Sequence, residues 1–526
     1  MRDHLVLYIN GKRQFIRGRD AFLSLSDYLR LRLGLVGTKI VCSEGDCGAC
    51  SVLIGRAKRG REFFATGGVA IDGGVAGRKR LPTPSASPQV TYLPVDSCIQ
   101  FLFQLDGTHI VTVEGLRPDG QLNPVQQAMV DCHGSQCGFC TPGFVMAMTG
   151  LLEETDELDE PQLRHGLTGN LCRCTGYTPI IESGLKCNDA EHERLNELYP
   201  PSQMLSDFQQ LREQPVTLQA EWFGETHIAS CPTSLDGALE FLAMHPNATI
   251  VAGATDVGVR INKTGRIPPA ILDLNRIPDL DHVRIENNTL IAGARATWTA
   301  LLAACRRSAE ADGLALPEFA RILATFGAPQ IRHVGTLAGN IANASPIADA
   351  LPLLFVMEAS LILARLELAR PASAGRGATR EVNVNNFYLG YKQLDLRPGE
   401  LITEVRIPLP AEDELVRLYK VTRRRDLDIS SFTAAIRLRL SDEQIETASI
   451  ALGAVGPTVL RARRAEQFLL GKPLTEETMQ AAGDIAAQET TPITDVRGSA
   501  NYRRQLTRNV FLKFYHQHQA ELSAAP

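Results

Sequence analysis

The chain has 526 residues, which is too long for one ordinary hydrophobic core and predicts three or four domains of roughly 100 to 200 residues each. Hydrophobic residues make up 44% of the chain and charged residues 21%, as in soluble globular proteins. A formal net charge of -5 provides no basic field for nucleic acid, so we expect no DNA or RNA partner.

The N-terminal residues predict a β-hairpin and not a secretory signal. The apolar run Leu5–Ile9 leads directly into Asn10-Gly11, a favoured hairpin turn, and then into a second apolar stretch. The most apolar long stretch, Leu351 to Leu368, is interrupted by a proline and by charged residues, so we do not expect it to span a bilayer. We therefore expect a cytoplasmic protein without membrane contact.

Two small units are predicted before residue 190. Residues 1–95 indicate a sheet with one helix, Ser24 to Leu33, and contain an aperiodic stretch at about 56–89 that predicts a flexible surface insertion. Residues 96–190 show helical patterns at Pro124–Val130 and Gly143–Glu153, which predict a small α-helical unit. The following polar segment, 191–220, contains the proline-bounded stretch from Pro200 to Pro215 and predicts a linker.

Two α+β units are predicted after the linker. In residues 221–408, short strands such as Thr249–Val251, Ala270–Leu272 and Leu290–Ile291 alternate with helices such as Leu235–Met244. In residues 412–516, the stretches 432–440 and 447–452 read as strands that precede helical stretches. The chain as a whole is therefore expected to be a multidomain α+β protein.

The cysteines of the first predicted unit form a ligand pattern. Of the twelve cysteines, ten lie before residue 190, and a reducing cytoplasm favours metal or redox chemistry over disulfides. Gly45 and Gly48 permit the positive φ angles of a loop that turns N–H groups towards sulfur. The spacing C-x4-C-x2-C is typical of plant-type ferredoxins, with a distant fourth thiolate, and predicts a 2Fe-2S cluster held by Cys42, Cys47, Cys50 and Cys98.

A second group combines C-x2-C with C-x-C inside the helical unit and consists of Cys137, Cys140, Cys172 and Cys174. Four soft ligands again suit an iron-sulfur core. Cys132 complicates the assignment, because Cys132, Cys137 and Cys140 also fit C-x4-C-x2-C, so spacing alone leaves five thiols for four positions. A zinc-binding scaffold without redox activity is the alternative of another class, although zinc usually takes paired C-x2-C or C-x4-C units.

The segments Gln136–Gly143 and Gly169–Tyr177 resemble the paired signatures of the xanthine dehydrogenase and aldehyde oxidase family of molybdenum hydroxylases. This resemblance implies that Cys137, Cys140, Cys172 and Cys174 bind the second 2Fe-2S cluster and that Cys132 is spare. It also implies a β-grasp ferredoxin domain at 1–95 and an all-α, four-helix 2Fe-2S domain at 96–190.

A Rossmann glycine fingerprint is absent, so a bound dinucleotide must be held by other loops. One candidate loop follows a predicted strand and consists of Ile250, Val251, Ala252, Gly253, Ala254, Thr255, Asp256 and Val257. Its small residues would let backbone N–H groups approach a pyrophosphate, although such a turn is common. A second loop runs from Val334 to Ile341 and continues to Asp349, and it again offers glycines with hydrogen-bonding side chains.

Together the two loops resemble the FAD-contacting loops of the vanillyl-alcohol-oxidase-like (PCMH-type) domain of the same family. The resemblance implies that residues 221–408 bind FAD and that residues 412–516 form an α+β C-terminal flavoprotein domain. Beyond the first loop, the implied flavin contacts are Phe326, Thr336, Asn340, Asp349, Ile402 and Lys420.

The resemblance also implies a function. Single-chain family members continue into a molybdopterin-binding domain, for which we expect no room after Pro526, so molybdopterin is expected only on a separate large subunit, in a dimer of heterodimers. The chain is then expected to be an oxidoreductase subunit that carries electrons through two 2Fe-2S clusters and FAD to NAD during xanthine oxidation. An aldehyde or another N-heterocycle is the alternative substrate of the partner.

Overall fold

A computed structural model describes residues 2–57, 89–117, 120–222, 224–311, 316–366 and 377–524. The chain divides into two compact units, one of Met1–Asp279 with Gly327–Gly335, and one of Leu280–Phe326 with Thr336–Pro526. The flexible insertion predicted at about 56–89 lies outside the described residues except at its two ends. No helix in the described ranges is long and apolar enough to cross a membrane.

The first unit begins with a five-stranded mixed sheet in the order β2-β1-β5-β3-β4. Its elements are β1 (Leu5–Ile9), β2 (Lys12–Ile16), α1 (Leu25–Leu31), β3 (Ser51–Ala57), β4 (Val90–Asp96) and β5 (His109–Val111). The predicted hairpin is confirmed: Asn10 and Gly11 have φ of 48° and 75°, as a two-residue turn requires. The predicted helix is confirmed with Ser24 as its N-cap, whose hydroxyl accepts from the Asp27 N–H.

A helical region follows, with α2 (Pro124–Asp131), α3 (Thr141–Glu154), α4 (Glu160–Gly166), α5 (Thr178–Lys186), α6 (Leu195–Leu198) and α7 (Ser202–Leu211). A proline occupies the first turn of each of the helices α2 to α5, where its missing N–H costs no hydrogen bond. Both helices predicted here are confirmed. The segment predicted as a linker contains α6 and α7, and the boundaries of the domains stay predictions.

The first unit continues with β6 (Val216–Trp222), β7 (Glu225–Cys231), α8 (Leu235–Met244), β8 (Thr249–Val251), α9 (Val257–Thr264) and β9 (Ala270–Asp273). The strands form a sheet in the order β6-β7-β9-β8, in which β9 runs parallel to both of its neighbours. The predicted strand and helix before the first candidate flavin loop are confirmed. One hydrophobic core extends over this sheet and the N-terminal sheet, from Leu5 and Phe22 to Val251 and Ile271.

A buried histidine, His109, begins β5, the central strand of the N-terminal sheet. His109 Nε2 accepts from the Gly11 N–H at 3.0 Å, and its Nδ1 lies 2.8 Å from the Tyr92 hydroxyl. Burial lowers the pKa of His109 to about 4. The ring is therefore neutral at pH 7, with Nδ1 as its donor towards Tyr92.

In the part of the second unit that the structure describes there are three sheets and most of the remaining helices. Its elements are β10 (Val283–Glu286), β11 (Thr289–Gly293), α10 (Trp298–Ala311), α11 (Pro317–Ala324), α13 (Leu337–Asn343), α14 (Leu351–Val356), β12 (Ser360–Leu366), β13 (Gly377–Asn383), α15 (Val384–Phe387), β14 (Tyr388–Gly390), β15 (Gln393–Leu394), β16 (Leu401–Pro408), β17 (Glu414–Val421), β18 (Phe432–Ser441), β19 (Gln444–Gly453), β20 (Leu460–Arg461), α16 (Arg463–Leu469), α17 (Glu476–Glu489) and α18 (Ala500–Ala524). The short helix α12 (Pro329–Arg332) precedes α13 but belongs to the first unit.

The sheets of the second unit are antiparallel. The orders are β10-β11-β16-β12-β13, β14-β15 and β17-β18-β19-β20. Apolar residues of the last sheet and of α16 to α18 share one core, which includes Phe432, Ile450 and Phe511. The mixed α+β, multidomain fold class is thus confirmed, and helix α13 packs against β16, which places the second candidate flavin loop beside that strand.

Candidate functional site

The four cysteines of the first group meet at one place in the first unit. Cys42, Cys47 and Cys50 lie in the loop between α1 and β3, and Cys98 follows β4. The sulfur of Cys42 is hydrogen-bonded to those of Cys47 and Cys98, and Cys98 is also hydrogen-bonded to Cys50. Gly45 has φ of 76° and Gly48 has φ of 65°, which confirms the expected positive angles. The sequence-predicted set is therefore brought together in full.

Contacts among these thiols separate their pKa values. Hydrogen bonds from Cys47 and Cys98 hold the pKa of Cys42 well below its ordinary value, and a bond from Cys98 lowers the pKa of the buried Cys50. The same bonds, together with burial, raise the pKa of Cys47 and of Cys98. The Glu44 N–H also points at the Cys42 sulfur, at 3.4 Å. At Cys42 and Cys50 the site thus already stabilises the thiolate, the form that binds metal.

The second group also meets at one place. Cys140 is the N-cap of α3, and Cys172 and Cys174 lie in the loop before α5. The thiol of Cys140 is hydrogen-bonded to Cys172, and that of Cys174 to Cys137. Burial raises the pKa of Cys140 to about 12. Against the effect of burial, hydrogen bonds led by that of the Thr175 hydroxyl at 3.2 Å lower the pKa of Cys172.

Cys132 does not join this set. It is the C-cap of α2 and lies near Lys186 and Cys187, at the end of α5. The described thiols therefore form two sets of four and leave Cys132 apart, although its spacing in the sequence fits a ligand motif. No group of three or more His, Cys, Asp and Glu side chains in the described ranges is arranged to hold a single metal ion. A 2Fe-2S core instead distributes four thiolates over two irons.

The two cysteine loops touch each other within the first unit. The Leu171 N–H donates to the Cys47 carbonyl at 3.0 Å, and the Asn170 amide donates to the Gly48 carbonyl at 3.1 Å. A Cβ atom at Gly48 would lie 2.3 Å from the Gly169 carbonyl oxygen, so the approach is possible only without a side chain. One hydrogen bond thus joins Cys47, of the first set, to the residue that directly precedes Cys172 of the second set.

One polar residue that the sequence did not single out braces this contact. Gln330, on α12, is fully buried, and its amide donates to Asn170 Oδ1 at 2.9 Å and to the Ser51 hydroxyl at 3.2 Å. Nothing in the sequence marks Gln330, because its partners are 160 and 279 positions away. Asn170 lies in the quoted C-x-C motif, and that position was its only signal.

The first candidate flavin loop also lies in the first unit, between β8 and α9. Two carbonyl groups of the loop accept hydrogen bonds from side-chain amides: Gln104 and Asn275 donate to the Ala252 carbonyl, and Gln100 donates to the Gly253 carbonyl. A Cβ atom at Gly253 would lie 2.0 Å from the Val334 carbonyl oxygen, which belongs to the second loop.

The N–H groups of this loop remain available. Among the described residues, no acceptor is bonded to the backbone N–H of Gly253, Ala254 or Thr255. Ala254 has φ of 59°, which is unusual for a residue with a side chain. Consecutive free N–H groups next to a strained residue are what an anion-binding turn requires, so the loop fits a pyrophosphate.

Three sequence-predicted flavin residues cluster in the second unit. The ammonium group of Lys420 lies 2.6 Å from Asp349 Oδ2, with both side chains less than a tenth exposed, and 5.9 Å from the centre of the Phe326 ring. The Ser430 hydroxyl donates to the other Asp349 oxygen at 2.6 Å, a contact that the sequence did not indicate. The Phe326 ring also packs against Trp298.

The remaining three flavin candidates lie on α13 and β16. Thr336 is the N-cap of α13, and its hydroxyl accepts from the Gly339 N–H. Asn340 Oδ1 is buried and has no hydrogen-bond partner among the described residues. Ile402 is a buried strand residue on β16. An orphaned buried acceptor calls for a donor from outside the chain, so this region of the second unit also fits a polar ligand.

Comparisons with known proteins agree with this arrangement. Three families match: a [2Fe-2S] binding domain over residues 112–184, an FAD binding domain in molybdopterin dehydrogenase over 224–410, and a CO dehydrogenase flavoprotein C-terminal domain over 417–518. Xanthine dehydrogenase 1 of Arabidopsis thaliana is 28% identical over 97% of this chain and 39% of its own length.

Two animal proteins show the same extent of similarity. Xanthine dehydrogenase of Drosophila subobscura is 30% identical, and aldehyde oxidase 2 of Cavia porcellus is 29% identical, each over 99% of this chain and 40% of its own length. The chain thus spans about two fifths of these curated relatives. The three domain matches and these relatives fit the iron-sulfur and FAD-binding part of the molybdenum hydroxylase family.

Proposed function

We propose that the chain is the electron-transfer subunit of a split xanthine dehydrogenase. In this proposal electrons pass from a molybdopterin-binding large subunit through two 2Fe-2S clusters and FAD on this chain to NAD, and so support the oxidation of hypoxanthine and xanthine to urate. The observation that carries the proposal is the convergence of four cysteine thiols at each of two adjacent places in the first unit. The clusters, when bound, supply one-electron transfer, and FAD supplies two-electron storage and hydride transfer.

The proposed ligands follow from the thiol contacts. One cluster would be held by Cys42, Cys47, Cys50 and Cys98, and the other by Cys137, Cys140, Cys172 and Cys174. The fit rests on the donor set: hydrogen bonds link all four sulfur atoms of the first group and join those of the second group in two pairs, and N–H groups point at the sulfurs of Cys42 and Cys172. The contact between the two loops supports transfer between the sets.

The proposed FAD contacts are assigned in each unit separately. In the first unit, the backbone N–H groups of the loop from Ile250 to Val257 would bind pyrophosphate oxygens. In the second unit, Asn340 would offer its orphaned Oδ1 to a donor of the ligand, with Thr336 and Ile402 beside it. Asp349 and Lys420 would fix the position of the Phe326 ring, which their buried ion pair adjoins.

The iron and FAD content of the purified chain tests whether it binds the proposed cofactors. The purified chain should contain about four iron atoms and one FAD, because each 2Fe-2S core holds two irons. A visible absorption spectrum separates this outcome from the zinc-scaffold alternative, since zinc is colourless. Iron near two per chain would refute the second cluster, and zinc in place of iron would refute both.

Reconstitution with a partner subunit tests which substrate is oxidised and whether NAD is the electron acceptor. The chain alone should oxidise NADH with an artificial acceptor and leave xanthine unchanged, and the addition of a molybdopterin-binding subunit should give xanthine-dependent NAD reduction. The similarity to aldehyde oxidase 2 of Cavia porcellus supports an aldehyde as the alternative substrate. Faster turnover of aldehydes than of xanthine by the complex would select that alternative. Xanthine hydroxylation by the chain alone would overturn the proposal.

A further inference from the structure

Two elements of the first unit hold each other by reciprocal hydrogen bonds. One is the short segment from Cys98 to Gln104, which begins with a proposed ligand of the first cluster. The other is the candidate pyrophosphate loop together with helix α9, which follows it directly. Each element donates side-chain amide hydrogens to backbone carbonyls of the other, over 150 positions away in the sequence.

The bonds from α9 reach the cluster loop at two points. The Asn262 amide donates to the Cys98 carbonyl at 2.8 Å and to the Ser43 carbonyl at 3.0 Å. Ser43 adjoins the proposed ligand Cys42 and has φ of 55°, a conformation that a serine adopts only under constraint. One side chain on α9 thus fixes the backbone at both Cys42 and Cys98.

The bonds in the opposite direction reach the pyrophosphate loop. Gln100, two residues after Cys98 and almost fully buried, donates to the Gly253 carbonyl at 3.0 Å. Gly258, at the start of α9, lies so close to Ile99 that an added Cβ would be 2.7 Å from the Ile99 carbonyl oxygen. The two elements therefore cannot shift independently without breaking buried bonds or contacts.

We propose that Asn262 and Gln100 form a clasp that couples the first cluster site to the pyrophosphate loop, so that ligand binding to the loop stabilises the cluster. Both are positioning residues, since they act through the backbone of the ligand-bearing segments. The inference rests on the proposed function, because it takes the thiols and the loop as cofactor sites. Reciprocal stabilisation follows from thermodynamic linkage. A ligand that stabilises the pyrophosphate loop also stabilises the backbone arrangement of Ser43 and Cys98 in which the cluster is bound.

The test measures cluster lability with and without FAD. In the wild-type chain, release of iron from the first cluster to a chelator should be about five- to tenfold slower with FAD bound than after its removal, within the range of typical couplings. The second cluster, followed by its own electron paramagnetic resonance signal, should show no such protection. In Asn262→Ala the protection should disappear and the signal of the first cluster should change, whereas Gln100→Ala should lose the protection only.

Two matched variants control the test, and both are compared at saturating FAD. Lys263→Ala removes the neighbouring exposed ion pair with Glu44 and keeps the clasp, so protection should persist. Asn275→Ala removes another bond to the pyrophosphate loop without contact to the cluster segment, so FAD should bind more weakly while protection persists.

The outcomes separate the clasp from the proposed function. Equal iron release with and without FAD in the wild-type chain would overturn the clasp, as would protection that survives in both clasp variants. A wild-type chain that bound no iron or no FAD would instead overturn the proposed function.

Discussion

Replacement of Asn170 by alanine should destabilise the contact between the two cysteine loops. The side chain is 3% exposed and makes two buried hydrogen bonds, one to the Gly48 carbonyl and one from the Gln330 amide. The Gly48 carbonyl still accepts hydrogen bonds from the hydroxyl and N–H of Ser51, and the Gln330 amide still donates to the Ser51 hydroxyl. The change therefore leaves neither of these two groups without a hydrogen bond. The cost is then that of two lost bonds, about 2 kcal/mol at roughly 1 kcal/mol each.

Thermal unfolding of the cofactor-loaded chain measures this cost. For a cooperative unit as large as the first unit, Met1–Asp279 with Gly327–Gly335, about 2 kcal/mol corresponds to a midpoint lower by roughly 3 °C. Gln127→Ala, which removes an exposed bond to Asp131, is the matched control and should stay within about 0.5 kcal/mol of wild type. If the midpoint of thermal unfolding of Asn170→Ala were the same as that of this control, the hydrogen-bond argument would be refuted.

An isosteric variant separates hydrogen bonding from packing. Asn170→Asp keeps the size of the side chain and its acceptor for Gln330 but places a carboxylate oxygen against the Gly48 carbonyl. The repulsion and the burial of a charge should cost more than the loss of the side chain in Asn170→Ala. A midpoint for Asn170→Asp above that of Asn170→Ala would mean that volume, and not donation to Gly48, is the property that counts.

Three further predictions concern single side chains. Cys132→Ser should leave both cluster signals intact and Cys174→Ser should abolish one, so loss of a signal in the Cys132 variant would contradict the ligand assignment. Asp349→Asn should cost about 3 to 5 kcal/mol in unfolding experiments and release FAD, because it removes the negative charge that compensates the buried ammonium of Lys420. Unchanged FAD retention would count against the proposed flavin site. Because the pKa of His109 is depressed to about 4, this residue has no effect on stability above about pH 6.5 and destabilises the folded state increasingly as pH falls towards 4, since only the unfolded state binds the proton there. In His109→Gln the slope of unfolding free energy against pH between 6.5 and 5.5 should fall by up to about 1.4 kcal/mol per pH unit, and an unchanged slope would contradict the assignment of a neutral ring.

Much of the secondary structure could be predicted from local sequence patterns. The hairpin at Asn10-Gly11, the strand Thr249–Val251 and the helix Leu235–Met244 were predictable because a turn dipeptide or a hydrophobic period determines each of them within a few residues. Helix α7, which lies inside the predicted linker, also shows a hydrophobic period in the sequence. Met204, Phe208 and Leu211 are buried at helical spacing, but the prolines at both ends of the segment dominated its interpretation.

The candidate site divides in the same way. The thiol sets could be found because their members lie in short, repeated spacings, yet spacing alone could not exclude Cys132. That choice needed either the family resemblance or the three-dimensional contacts, which leave Cys132 at the end of α2. The bracing residues Gln330 and Asn262 gave no signal at all, because a single polar side chain whose partner lies more than 150 positions away has no local pattern.

The bracing contacts share one chemistry, and a physical reason accounts for it. In the cysteine loops, N–H groups turn towards sulfur, as those of Glu44 and Cys174 do, so the carbonyl groups of the same loops turn outwards and need donors. Those donors are the neutral amides of Asn170 and Asn262, which satisfy a carbonyl without adding a charge beside the thiolates. The same reasoning predicts that a carboxylate is the worst replacement at either position, because it would face the outward carbonyl with an acceptor and add negative charge where thiolates already accumulate it.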